Sequence, residues 1–225
     1  MPDGKTKADD VPDPALAAFE ISARLVLAGR YEEALTATDE AARLYRERIT
    51  DTRTGPLEAL GAAASRAYVL VFRCEALSKL ERWEECLRTA SEAVALSRSQ
   101  QADAPFAAPP GATLMGLATA LWGLGRPQEA LAMARESVAL YRRLTSADPA
   151  AHTLGLAQAV NNPARRRSVR DHRRRALRSA REAVALYRQL ARDNPAVHRR
   201  DVAMALGNLA RAHSSREASL AAAQE

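Results

Sequence analysis

Four stretches of the chain repeat one arrangement of apolar and polar positions. They are RYEEALTATDEAARLY from Arg30, RWEECLRTASEAVALS from Arg82, RPQEALAMARESVALY from Arg126 and HRRRALRSAREAVALY from His172. In the third copy Ala130, Leu131, Ala134, Val138 and Tyr141 recur at the interval that gathers side chains on one face of an α-helix. Their equivalent last residues, Tyr45, Ser97, Tyr141 and Tyr187, give periods of 52, 44 and 46 residues. Self-similarity at such a period predicts stacked supersecondary units.

Each repeated segment is expected to be the second helix of a hairpin. Upstream of the third copy, Leu114, Leu117, Ala118 and Leu121 form another helical pattern, followed by Leu124-Gly125-Arg126, where Gly125 can end a helix in the left-handed conformation. Small residues recur 12 apart across each expected turn: Ser22 and Ala34, Cys74 and Cys86, Ala118 and Ala130, Ala164 and Ala176. Facing one another, they let the two backbones approach closely, and the cysteines read as small buried fillers rather than a redox pair.

The intervening segments read as punctuation. Residues 1–13 are polar and Pro-rich and are expected to form a disordered tail, with Pro14 in the first turn of the opening helix. Residues 14–225 then form one repeat domain, with units near 14–49, 57–99, 112–145, 152–191 and a partial unit at 196–225. Thr50 to Pro56 and the Pro-rich stretch Gln100 to Gly111 are loops. Asp148-Pro149 and Asn194-Pro195 hold the same place in successive units and start the next helix. The end, REASLAAAQE, reads as a shortened second helix capping the stack.

Composition narrows the class. The 225 residues are 47% hydrophobic and 27% charged, which fits neither wholesale disorder nor a disulfide-stapled miniprotein. Aromatics are 4% and β-branched runs are missing, which argues for helices packed through small residues and against a sandwich or barrel. No apolar run approaches the roughly 18 residues of a membrane span, and the N-terminus lacks the apolar core of a signal peptide. A cytoplasmic location with no membrane contact is expected.

The pattern of bulky, bulky-small, aromatic, small and bulky positions in Leu114, Leu117-Ala118, Leu121, Ala130 and Ala134 resembles the tetratricopeptide repeat family. Ala18, Ile21-Ser22, Leu25, Ala34 and Thr38 follow it as well, and the resemblance covers most of residues 14–213. Second helices that run on through LYRERI, LYRRLT and LYRQLA resemble the longer repeats common in bacterial regulatory proteins. The implied fold is all-α, a right-handed α-α superhelix of helical hairpins whose first helices line a concave face.

By the same resemblance, Leu16, Phe19, Ala23 and Val26 line that groove in the first unit, and Tyr68, Val71, Glu75 and Lys79 in the second. Met115, Thr119 and Trp122 follow, then Gln158, Asn161, Asn162 and Arg165, with Met204 and Arg211 at the end. The implied partner is another protein, presenting a peptide or helix to a groove that grades from apolar to polar and basic. Each of these side chains has the alternative of contacting only the neighbouring repeat.

Nothing in the chain carries a catalytic signature. There is no phosphate-binding glycine loop, no nucleophile elbow and no histidine with a second ligand at helical spacing, so no catalytic residue, metal or cofactor is expected. His152 and His198 stand at identical repeat positions, which explains them as part of the repeat.

Charge adds one feature. Residues 1–110 hold 14 basic and 18 acidic side chains, whereas 111–225 hold 19 and 9. Nine arginines against Asp171 alone crowd into Arg165 to Arg181. Here Pro163 and Arg167 occupy positions where the repeat wants bulky apolar residues, so the first helix of the fourth hairpin is expected to be broken, shortened or poorly packed. Three readings stay open: a solvated or frayed face, an anion-binding patch through Arg166, Arg170, Arg173 and Arg174, or a compensated frame error.

The sequence thus points first to a scaffold or adaptor, with a regulatory role open, and second to a nucleic-acid or anionic-surface binder using residues 165–181. A homo-oligomer is a further option, since a truncated last hairpin leaves an apolar end.

Overall fold

A computed structural model of the chain describes residues 13–99, 110–165 and 173–221. Among them every regular element is an α-helix: α1 (Pro14–Leu27), α2 (Tyr31–Thr50), α3 (Pro56–Lys79), α4 (Trp83–Ser99), α5 (Pro110–Gly123), α6 (Pro127–Ala147), α7 (Pro149–Arg165), α8 (Arg173–Asp193) and α9 (Pro195–Ala221). The four repeated segments are α2, α4, α6 and α8. The helices between them, α1, α3, α5, α7 and α9, all open on a proline, which fixes a helical φ where no intrahelical donor is needed.

The turns inside the hairpins follow the sequence closely. At the end of α1, the Gly29 N–H reaches the Val26 carbonyl at 3.1 Å and the Arg30 N–H the Leu25 carbonyl at 3.0 Å, with Gly29 at φ 76°. This double bond closes the carbonyl end of a helix on a left-handed residue. Gly125 takes the same left-handed conformation at φ 71°, and Glu81 holds the same place at φ 57°. The following arginine then pairs with a glutamate three residues on, as Arg30–Glu33, Arg82–Glu85 and Arg126–Glu129.

The helices divide into two compact units. The first comprises α1 to α4 with Thr119–Leu124, and the second Pro110–Ala118 with α6 to α9. In the first, α1 packs on α2, α2 on α3, α3 on α4, and α1 also reaches α3. Its core gathers Ala15, Ala41, Tyr45, Val69, Leu70 and Ala93. In the second, α6 to α9 pack in the same succession, with α7 reaching α9, around Tyr141, Leu156, Val160, Val184, Tyr187 and Ala205. Consecutive packing with contact to the next helix but one is the signature of a helical repeat array.

The small-residue slots are filled as the spacing predicts. Ser22, Ala34, Cys74, Cys86, Ala118 and Ala130 are all buried. The Cys74 thiol lies 3.7 Å from the Cys86 carbonyl and the Cys86 thiol 3.5 Å from that of Cys74, with both sulfurs reduced. In the fourth pair Ala176 is half-buried, and the side chain of Ala164 lies outside the described residues.

Three expectations change. Asp13, grouped with the tail, is the N-cap of α1: its carboxylate accepts the Ala15 N–H at 3.0 Å. Residues 1–12 lie outside the described residues. The first helix of the fourth hairpin, α7, is neither broken nor short, running 17 residues through Pro163. Pro163 stands in its last turn, where the loss of one N–H removes a single bond rather than splitting the helix. Arg167 lies outside the described residues. Finally, the segment from Arg216 continues α9 to Ala221 rather than turning back as a second helix. It holds no glycine or proline to end the helix and is rich in alanine.

Candidate functional site

The residues expected to line a groove sit on the first helices, and their exposure separates them. On α1, Leu16 is 47% exposed, Phe19 and Ala23 are half-buried, and Val26 is buried. On α3, Tyr68 is 38% exposed, Val71 half-buried, and Glu75 and Lys79 are exposed. Positions 68, 71, 75 and 79 fall on one side of a helix, so α3 presents an apolar half followed by a charged half.

The two helices are locked together by an edge-to-face contact of Phe19 with Phe72, ring centres 5.5 Å apart. Phe72 is the side chain the sequence pattern missed, because it neighbours Val71 on the repeat position while its ring meets α1. Burial raises the Tyr68 hydroxyl above its ordinary titration range, so it remains a neutral hydrogen-bonding group.

The same unit also holds a polar hollow. A hollow of about 400 Å³ between α2, α3 and α4 is lined by Arg43, Arg46, Arg73, Arg88, Asp39 and Glu92. Arg73 pairs with Asp39, Arg43 with Glu40 and Glu47, and the buried Arg66 with Glu92. No sequence signal marked these arginines, which come from three separate helices.

In the second unit Met115 and Asn162 are half-buried, Gln158 and Arg211 exposed, and Met204 40% exposed. Asn161 is 3% exposed and Asn208 fully buried; the Asn208 amide donates to the Asn161 carbonyl oxygen at 2.8 Å. Arg211 donates to Asn208 in turn. Asn161 therefore joins α7 to α9 and offers almost no surface to a partner, as does Val26 in the first unit. Thr119 and Trp122 are half-buried on the part of α5 that belongs with α1 to α4.

The arginine patch is only partly in view. Arg166 and Arg170 lie outside the described residues, as do the side chains of Arg165 and Arg173; Arg174 is exposed on α8. Among the described residues no group of three histidine, cysteine or acidic side chains could hold a metal, and no helix is long and apolar enough to cross a membrane.

Residues 111–151 match the tetratricopeptide repeat family model. No curated protein matches the chain. Among solved structures it is similar to a Podosopora anserina kinesin light chain-type protein of nearly identical TPR-like repeats, at 16% identity and a TM-score of 0.54, covering 95% of this chain and 93% of that one. A single-substitution form of that protein gives a TM-score of 0.55 at 16% identity, covering 95% and 92%. Residues 111–151 thus match a tetratricopeptide repeat, and over 95% of its length the chain has the fold of a helical repeat array.

Proposed function

We propose that the protein is a non-enzymatic cytoplasmic adaptor that holds a segment of another protein on the first helices of its repeats. The observation that carries this reading is the pair Leu16 and Tyr68, large side chains left 47% and 38% exposed on neighbouring first helices. An exposed rigid aromatic with a polar tip and an exposed aliphatic side chain suit the anchoring of a peptide. Glu75 and Lys79 further along α3 set a charged end, so the favoured segment carries an apolar anchor followed by charged residues.

The reading is tested by affinity capture from lysate of the source organism after nuclease treatment and a high-salt wash, using the native chain beside a Leu16→Asp/Tyr68→Ala form. A discrete protein retained by the native chain and lost from the double variant supports it. Retention of the same proteins by both forms rules it out.

A further inference from the structure

The second helix of the fourth hairpin carries a line of exposed arginines along one face. Arg174, Arg178, Arg181, Arg188 and Arg192 follow one another at intervals of four, three, seven and four residues in α8, and all five are exposed. At 3.6 residues per turn they project within about 40° of one line, which extends about 27 Å at 1.5 Å per residue. Ala185 completes the line.

Among the described residues none of the five forms an ion pair. Of the two acids on α8, Glu182 is held by Arg142 of α6 at 3.0 Å, and Asp193 stands at the last residue of the helix. Arginines three and four residues apart on a helix repel one another, so the folded chain carries a standing cost that a bound polyanion would remove.

The surroundings of the line select among polyanions. Stable attachment to a lipid surface needs apolar side chains that enter it beside the charges, and α8 exposes no large one. A single strand would need an aromatic platform, but the aromatic of α8, Tyr187, is 1% exposed. A partner helix would need an apolar seam beside the charges, where this face offers Ala185 alone, and exposed ion pairs by themselves contribute little. A duplex backbone needs none of these. Guanidinium groups bind phosphate oxygens in a two-pronged fashion, and each contact releases condensed counterions.

We infer that α8 is a second binding surface, which takes the phosphate backbone of double-stranded nucleic acid without reading its sequence. It stands on residues separate from the adaptor surface and does not depend on it.

The test is fluorescence anisotropy of a labelled DNA duplex about two helical turns long, titrated with the full chain at several salt concentrations. Five contacts give a slope of log affinity against log salt of about −4.5, a loss of about 500-fold between 50 and 200 mM salt. Replacing Arg178, Arg181 and Arg188 together by serine should bring the slope to about −1.8 while circular dichroism stays unchanged, since all three are exposed. The three lysine replacements should keep the steep slope, a duplex of shuffled sequence should bind alike, and Tyr68→Ala should bind as the native chain does. Absence of binding at 50 mM salt, an unchanged slope in the serine variant, or equal or tighter binding to poly-glutamate or to anionic lipid vesicles overturns the inference.

Discussion

The ring of Tyr141 occupies the space that a side chain on Gly155 would need. A β-carbon at Gly155 overlaps the ring, and one at Gly111 overlaps it from the other side. Tyr141 is 4% exposed in the core of the second unit, so the ring has little room to retreat. Gly155→Ala should therefore destabilise the protein by about 1–3 kcal/mol through overpacking. Gly207, in α9 with nothing within 4 Å of a β-carbon, is the internal contrast. Its alanine variant should gain about 0.5–1 kcal/mol from helix propensity. Urea midpoints of the two variants should move in opposite directions.

Glu81 holds a backbone conformation that glycine fills at the other two turns. With φ at 57° it stands where Gly29 and Gly125 stand at 76° and 71°. A side chain in the left-handed region costs about 1 kcal/mol, part of which glycine gives back as chain entropy. Glu81→Gly should raise stability by about 0.5 kcal/mol, and Gly29→Ala should lower it by about 1 kcal/mol. Denaturation curves showing the reverse order would contradict this account of the turns.

Asn161 and Asn208 form a buried hydrogen bond whose two ends are unequal. Asn208 is fully buried and bonded on both sides, while Asn161 depends on it. Asn208→Ala should cost about 1–3 kcal/mol, because it strands the Asn161 oxygen. A double-mutant cycle with Asn161→Ala should return a positive coupling, and strict additivity would show that the bond contributes nothing of its own.

Asp13 ties the first helix to the second and gives the fold an acid-sensitive corner. Its carboxylate accepts from Arg48 at 2.7 Å as well as from the Ala15 N–H, and the Arg48 guanidinium holds it below the usual carboxylate range. A carboxylate with a lowered folded pKa adds stability above its unfolded value, and that stability fades as pH falls through the folded one. The Tm difference between the native chain and Asp13→Asn should therefore be present at neutral pH and close between about pH 5 and pH 2. A difference that grows on acidification would have the wrong sign.

Cys74 and Cys86 should behave as inert core atoms. The Cys74 thiol is raised well above its ordinary value, first by its hydrogen bond with Cys86 and then by burial, so the reactive thiolate is suppressed. Neither cysteine should react with a thiol reagent until the chain unfolds, and labelling should track the unfolding curve. Prompt labelling of the folded protein would show that the slot opens.

The chain determined its own units. Repetition of RYEEALTATDEAARLY and its three relatives marked each second helix, and the 12-residue spacing of small residues marked the buried slot of the first three hairpins. Both are local: a helix period and a hairpin turn depend on residues a few positions apart. What lay beyond the sequence was long-range. That the Phe72 ring meets Phe19 of α1, that Asn161 is bonded to Asn208, and that Glu182 is paired with Arg142 follow from which helix lies against which. The arginines divide between the two. Those from Arg165 to Arg181 drew the eye as a run, but helical winding regroups Arg174, Arg178 and Arg181 with Arg188 and Arg192 into one face. Only tertiary packing decides which side chains are already satisfied inside the protein and which are left for a partner, because burial and pairing depend on neighbours distant in sequence.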